Sequence, residues 1–171
     1  YHVSISPPLL SDLRGDDQRL IDALQQQHGV LCNEIPYTVI QTLPQLLRSA
    51  DWNVSAIVRE DEVVSVAPLA SRHLGVAVDL GTTTIAAYLV DLETGHALSA
   101  KGVMNPQISY GEDVVTRMVH AEKSPENATI LHKMISKAIN GLIEDLIRDI
   151  GLREDEGKVN EVVIAGNTAM H

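Results

Sequence analysis

The chain has 171 residues, of which 44% are hydrophobic, and this is enough apolar material for the core of one domain or two small ones. Its formal net charge of −10, from 13 basic and 23 acidic residues, argues against a general nucleic-acid-binding role. A single cysteine, Cys32, excludes an internal disulfide, a four-cysteine zinc site and an iron–sulfur cluster, and no apolar run approaches the ~20 residues of a membrane span. These features predict a cytoplasmic protein without a membrane partner, and the missing initial methionine indicates a fragment of a longer protein.

The first two predicted elements are helices. In SDLRGDDQRLIDALQQQH, one helical face carries Leu20, Ile21 and Leu24. Asp16 is the predicted N-cap, and Gly29 follows the last turn. In PYTVIQTLPQLLRSA, apolar residues again recur at helical spacing, and Pro44 is expected to kink or split the helix. The predicted apolar face of this second helix consists of Tyr37, Ile40, Leu43 and Leu47.

A β-hairpin is predicted next. The segment WNVSAIVREDEVVSVAP alternates apolar and polar residues on both sides of a charged centre, although no Asn-Gly or Asp-Gly marks the turn. Residues 1–70 are therefore expected to form a small α+β domain. Nothing in this block indicates catalysis.

Three strands open the second block, residues 74–171. LGVAVDL is a nearly uninterrupted apolar run, which is typical of a central strand covered on both faces. TIAAYLVDLETG predicts a second strand that ends in a short hairpin loop, where Gly95 can adopt positive φ. HALSAKGVMN predicts a third strand, ended by Pro106.

Helices and one more strand follow. GEDVVTRMVHAEKS predicts a helix with an acidic first turn, and ENATILHKMISKAINGLIEDLIRDIG predicts a long amphipathic helix that Gly151 ends. EVVIAGNTAMH predicts a buried strand, residues 162–165, that runs into a polar Gly-Asn-Thr turn. The predicted apolar face of the shorter helix consists of Val114, Val115, Met118 and Val119.

This order of elements predicts the fold class. Three antiparallel strands and then a helical crossover to a strand beside the first form the beginning of a ribonuclease H-like α/β fold, provided that the crossover is right-handed. In open α/β sheets a ligand lies beyond the strand ends, where polar loops of neighbouring strands converge. Residues 79–84 and 166–168 form two such loops.

The loop DLGTTT has the chemistry of a phosphate site. Gly81 lets the backbone approach a bulky anion, and the hydroxyls of Thr82, Thr83 and Thr84 add donors. Asp79 is suited to hold Mg²⁺ through its waters, because this ion dehydrates reluctantly and is usually shared with phosphate oxygens. The alternative interpretation is an ordinary β-turn, since Asp, Gly and Thr favour turns for local hydrogen-bonding reasons.

The same stretch, VAVDLGTTTIAAYLVDLETG, resembles the phosphate hairpin of the acetate and sugar kinase, heat-shock chaperone and actin superfamily of ATPases. Within it, MNPQISYGEDVVTRM and EVVIAGNTAMH are similar to the ATPase domain of reductive activators of corrinoid proteins. Residues 1–70 resemble the middle domain of that family, and residues 74–171 resemble the N-terminal part of its actin-like ATPase domain. The resemblance implies a parent that uses ATP and Mg²⁺ to reduce cobalt(II) to cobalt(I) in a corrinoid protein of a methyltransferase system.

The resemblance also implies the roles of individual residues. Contacts to the nucleotide phosphates and magnesium fall to Asp79, Gly81, Thr82, Thr83 and Thr84, with Gly166, Asn167 and Thr168 facing the same cleft. Some superfamily members carry a basic residue shortly after the threonines, but Ala86 and Ala87 stand here, so such a cation has to come from elsewhere. The two-iron, two-sulfur cluster that supplies the electron belongs to an N-terminal domain outside this chain.

Other features and other functions stay open at this point. NPQISYGED is either a partner- or nucleotide-sensing loop or an ordinary turn, and no pair of histidines has metal-ligand spacing. Two alternative functions are a small-molecule kinase of the same superfamily and a non-enzymatic module that docks a corrinoid or methyltransferase protein. The first has no evident base residue, and the second has no use for Asp79 and the threonine run. The sequence leaves open whether the parent is a homodimer.

Overall fold

A computed structural model of the chain describes residues 1–152 and 157–168. They divide into two compact units, Tyr1–Ser71 and Arg72–His171. Among the described helices, none is both long and apolar enough to cross a membrane.

The first unit packs two helices and a three-stranded antiparallel sheet around one apolar core. The strands lie in the order β1-β2-β3, and the core includes Leu20, Leu24, Leu43, Leu47 and Val54, each fully or almost fully buried. The elements are β1 (His2–Ser4), α1 (Asp16–His28), α2 (Tyr37–Ser49), β2 (Asn53–Arg59) and β3 (Glu62–Pro68). The predicted pair of helices and the predicted hairpin are confirmed, whereas the three-residue strand β1 was not predicted.

The ends of α1 differ in one respect from the prediction. Gly15, not Asp16, is the N-cap, and Asp16 is the first helical residue. Asp16 instead accepts a hydrogen bond from Nη1 of Arg48 at 2.8 Å, which is an alternative use for a carboxylate in the first turn of a helix. Gly29 ends the helix in the left-handed conformation with φ of 68°, as predicted.

The buried face of α2 is rotated by about one residue from the predicted face. Val39, Leu43 and Leu47 are buried, while Tyr37 and Ile40 are exposed. Pro44 lies inside an uninterrupted helix, so the predicted split is wrong. Because the same face is buried before and after the proline, core packing offsets the loss of one backbone hydrogen bond.

The second unit is a four-stranded mixed sheet with two helices, in the strand order β6-β5-β4-β7. β4, β5 and β6 are antiparallel neighbours, and β7 pairs in parallel with β4. The predicted order of three strands, two helices and a strand is confirmed. The elements are β4 (Arg72–Leu80), β5 (Thr84–Asp91), β6 (Ala97–Met104), a 3₁₀ helix (Pro106–Tyr110), α3 (Val114–Glu122), α4 (Pro125–Asp149) and β7 (Gly157–Gly166).

In this unit, only one face of the sheet is covered within the described residues. Ile139, Leu142 and Leu146 of α4 form a core with the side chains of β4 and β5. On the opposite face Ala77 and Val163 are exposed, the latter by 59%. The expectation that the central strand β4 is covered on both faces is therefore wrong for this chain. The expectation that the final strand is buried is also wrong, since β7 has a strand neighbour on one side and no described helix over its outer face.

The apolar face predicted for α3 is also not a core face. Val115, Met118 and Val119 are all exposed, and Arg117 is the buried residue of this helix. Asp113 caps the helix by accepting a hydrogen bond from the N–H of Thr116 at 2.7 Å. Val114, the remaining member of the predicted face, is half-buried, so the one fully buried side chain of this helix is charged.

Candidate functional site

The loop DLGTTT forms the tight turn between β4 and β5. Asp79 and Leu80 are the last two residues of β4, and Thr84 is the first residue of β5. The N–H of Gly81 donates to the carbonyl oxygen of Thr84 at 3.0 Å and closes the turn. Asp79 is exposed, and its carboxylate has no hydrogen bond or ion pair to the part of the chain that the structure describes.

A glycine is needed at position 81 because of a close backbone approach. A Cβ atom at this position would lie 2.6 Å from the carbonyl oxygen of Thr84, well inside van der Waals contact. Its φ does not lie in the left-handed region, so the requirement is steric and not conformational. The predicted reason for a glycine here, the close approach of an anion to the backbone, is a different one.

Three consecutive carbonyl groups of the turn accept hydrogen bonds from the segment that follows β6. Nδ2 of Asn105 donates to the oxygen of Gly81 at 2.9 Å, and the backbone N–H of Asn105 donates to the oxygen of Thr83 at 2.8 Å. Nη2 of Arg117 donates to the oxygen of Thr82 at 2.7 Å. The carbonyls are thus held toward Asn105 and Arg117.

The amide groups of the turn point the other way. All described peptide bonds are trans, so the N–H of a peptide unit points opposite to its carbonyl. The N–H groups of Thr82 and Thr83 therefore point away from Asn105 and Arg117, and neither has a hydrogen-bond acceptor among the described residues. Successive outward N–H groups, with threonine hydroxyls beside them, are the donor arrangement that binds an anion.

Asn105 is completely buried, and both the nitrogen and the oxygen of its side chain form hydrogen bonds. Its Oδ1 accepts from the N–H of Gln107 at 2.9 Å, which caps the 3₁₀ helix, while its Nδ2 holds Gly81. One side chain thereby ties the start of the 3₁₀ helix to the turn. Asn105 belongs to the loop NPQISYGED, but no sequence pattern predicts its contact with the turn.

Arg117 is a buried cation with only 4% of its surface exposed. Its Nε donates to the oxygen of Gly111 at 2.8 Å, while its Nη1 is buried and has no hydrogen-bond partner in the described part of the chain. Burial lowers the pKa of this guanidinium, and the nearby carboxylate of Asp113 partly opposes that effect. No carboxylate among residues 1–152 and 157–168 forms an ion pair with it.

The second predicted loop lies beside the first. In the parallel ladder between β4 and β7, Asp79 pairs with Ala165 and Leu80 pairs with Gly166. Asn167 and Thr168, which follow, therefore leave the sheet at the same end as the DLGTTT turn. The structure thus brings all the predicted site residues to one edge of the sheet, at the carboxyl ends of two parallel strands.

The donor set suits Mg²⁺ shared with a phosphate better than a closed metal site. Among the described residues there is no group of three His, Cys, Asp or Glu side chains that could hold a metal ion. Asp79 alone, at an open edge, fits an ion that takes its other ligands from water and phosphate oxygens. An iron–sulfur cluster does not fit this chain, because its single cysteine, Cys32, is buried.

Comparisons with known proteins identify relatives of both units. Residues 1–72 match the family model described as the RACo linker region, and residues 74–171 match the one described as the RACo middle region. The corrinoid activation enzyme RamQ of Eubacterium limosum is 29% identical over 96 residues, which are 56% of this chain and 16% of that protein. A solved structure titled reductive activator for corrinoid, iron-sulfur protein is 32% identical, with a TM-score of 0.77 over 99% of this chain and 28% of its own.

These matches correct the names given to the two blocks. The segment that resembles a middle domain in the sequence analysis, residues 1–70, corresponds to the linker region, and the middle region is the second unit. The chain spans only a small part of both relatives, 16% of one and 28% of the other. The resemblance itself is confirmed, and the chain belongs to the RACo family of reductive activators of corrinoid proteins, of which it comprises the linker and middle regions.

Proposed function

We propose that this chain is part of an ATP-dependent activator that drives the reduction of cobalt(II) to cobalt(I) in a corrinoid protein. The observation that carries the proposal is the likeness along 99% of the chain, at 32% identity, to a structure titled reductive activator for corrinoid, iron-sulfur protein. The second unit then forms the first part of an actin-like ATPase domain. Its strand order, with three antiparallel strands and a parallel neighbour of the first, is consistent with that assignment.

In this proposal the DLGTTT turn binds the phosphates of ATP. The outward N–H groups of Thr82 and Thr83 donate to phosphate oxygens, and the threonine hydroxyls add further donors. Asp79 holds Mg²⁺ through its waters, and Gly166, Asn167 and Thr168 border the cleft from the neighbouring strand. Bound Mg²⁺ would supply charge neutralisation at the phosphates, and these residues contribute positioning rather than covalent chemistry.

The electron has to come from outside this chain. Cys32 is the single cysteine and is buried in the first unit, so these residues cannot ligate an iron–sulfur cluster. We therefore assign the two-iron, two-sulfur cluster to another segment of the complete protein. The corrinoid protein, with its cobalt, is the substrate and partner in this scheme.

The test is the reduction of a corrinoid protein by the complete protein, followed by the absorbance change of cobalt(II) to cobalt(I) with an iron–sulfur reductant. We expect reduction to depend on Mg·ATP and to fall at least tenfold with Asp79→Asn, which removes the charge on the magnesium side of the site. Glu144→Gln, an exposed carboxylate on α4, is the matched control and should leave the rate unchanged.

Two results would contradict the proposal. One is reduction at the same rate without ATP, which would favour a docking module. The other is transfer of phosphate from ATP to a small hydroxy or acid metabolite with no effect on the corrinoid, which would favour a kinase of the same superfamily. Retention of full activity by Asp79→Asn would remove the assigned role of this residue.

A further inference from the structure

Arg117 is the one buried cation next to the turn within the described residues, and no sequence motif or family match assigns it a role. It lies on α3, 35 positions after Thr82 in the chain, yet its Nη2 is 2.7 Å from the Thr82 oxygen. A basic residue directly after the threonines is missing, because Ala86 and Ala87 occupy those positions. The charge that the turn lacks locally is thus supplied from α3.

The contacts of Arg117 fix one particular peptide unit. The guanidinium bridges two carbonyls, those of Gly111 and Thr82, and so locks the Thr82–Thr83 peptide against rotation. In the locked orientation the N–H of Thr83 points opposite to the Thr82 oxygen, and so away from Arg117. A charge-assisted hydrogen bond to the oxygen also polarises the peptide and strengthens its N–H as a donor.

The energetic cost of burying the Arg117 charge also favours an anion close to the turn. A buried guanidinium without a carboxylate partner is unfavourable unless another anion compensates it. Its Nη1 is buried and unpaired in the described part of the chain, and Asp113 is the carboxylate whose field reaches it. A triphosphate on the outer side of the turn would supply the missing negative charge.

We propose that Arg117 is a positioning residue for nucleotide binding: its two-carbonyl bridge holds the Thr82–Thr83 peptide with the Thr83 N–H directed at the phosphates. The inference rests on the proposed function, in which the turn binds ATP. It adds a third element, α3, to a site that the sequence places on two strand-end loops. It also makes the segment from Asn105 to Arg117 the inner support of the phosphate turn.

The test compares Arg117→Lys and Arg117→Gln with wild type in the complete protein. Lysine keeps the charge but lacks the planar fork whose Nε and Nη2 reach the two carbonyls, and glutamine keeps a donor without the charge. We expect both variants to bind Mg·ATP about tenfold or more weakly by calorimetry, the loss that follows when a hydrogen bond to a charged group is removed. Adenosine, which has no phosphates, should bind as it does to wild type.

Arg148→Lys is the matched control, because Arg148 is exposed on α4 and pairs only with Asp145 at 2.7 Å among the described carboxylates. It should bind Mg·ATP like wild type. Wild-type affinity in Arg117→Lys would overturn the inference, and so would an equal loss of adenosine and ATP binding or a loss of folded structure in both Arg117 variants. If wild type itself does not bind Mg·ATP, the proposed function fails first, and the two failures are thereby distinguished.

Discussion

Asn105 and Arg117 hold the backbone of the turn in place, and the sequence predicted neither of these contacts, although both residues lie in a segment that carries the family resemblance. Asn105 reaches the Gly81 oxygen from 24 positions away in the chain and Arg117 reaches the Thr82 oxygen from 35, so both hydrogen bonds are made to distant backbone oxygens. A contact between a side chain and a distant carbonyl leaves no pattern in the sequence. Asp79, Gly81 and the threonines were identifiable because they are contiguous and follow an apolar strand.

Asn105 offers a direct test of the buried support. Asn105→Asp removes the donor to the Gly81 oxygen and places a carboxylate against a carbonyl in a fully buried position. We expect the free energy of unfolding to fall by about 1–3 kcal/mol, the typical result of leaving a buried polar group unsatisfied. Urea unfolding followed by circular dichroism measures this, with the exposed Asn140→Asp on α4 as control. Equal stability of the two variants would show that the Asn105 bond contributes nothing.

Gly81 and Gly141 should respond in opposite directions to alanine. Gly81→Ala forces a Cβ against the Thr84 oxygen, 2.6 Å away, and should lower the free energy of unfolding by about 1–3 kcal/mol. Gly141→Ala, inside α4 with nothing within 4 Å of the added Cβ, should raise it by about 0.5–1 kcal/mol. The same urea series measures both. A stabilising effect at position 81 would contradict the geometry of the turn.

At the scale of elements, the sequence predicted which helices and strands exist, and in what order, better than it predicted which of their faces are buried. The strands and helices of both units follow the predicted order, since hydrophobic periodicity and turn residues act locally. The buried faces of α2, α3 and β7 did not follow, because burial depends on which other element covers a face. For α3 the apolar stripe was real, but the structure buries Arg117 instead.

The difference between the exposed apolar face of α3 and the buried apolar face of α4 can be measured as a difference in stability. Val115→Ala on α3 removes methyl groups that are 69% exposed, so the free energy of unfolding should change by no more than about 0.5 kcal/mol. Leu142→Ala on α4 leaves a cavity in the core of the second unit and should lower it by about 2–5 kcal/mol. If the Val115 variant is as destabilised as the Leu142 variant, the packing of α3 differs from that described here.

At the scale of the whole molecule, the chain consists of two units whose boundary, Ser71–Arg72, lies beside the junction of the two matched family models, which cover residues 1–72 and 74–171. The first unit has its own core and no candidate site among its described residues, and all residues of the candidate phosphate site lie in the second. The mixed α/β architecture of the second unit followed from the order of its elements. The activity of the complete protein could not be predicted in this way, because the chain spans 28% of the solved relative.

Acid should destabilise the protein through carboxylates that are hydrogen-bonded in the folded state. The N–H of Thr94 holds the pKa of Asp91 below its usual value, and the N–H of Thr116 does the same for Asp113. Because their folded pKa values are lowered, both groups stabilise the fold above their unfolded pKa of about 3.9, and this contribution is lost as pH falls through the folded values. Urea midpoints should therefore be constant between about pH 7 and 5 and fall below about pH 4. The fall should be smaller in Asp91→Asn, and a pH-independent midpoint would contradict these assignments.

The central claim is that the turn formed by residues 79–84 holds the phosphates of ATP, and hydrogen–deuterium exchange of the complete protein tests it most directly. Saturating Mg·ATP should slow exchange in the peptide that contains Thr82 and Thr83, whose N–H groups have no acceptor among the described residues, and adenosine should leave it unchanged. Bound Mg·ATP that leaves exchange in this peptide unaltered would contradict the account.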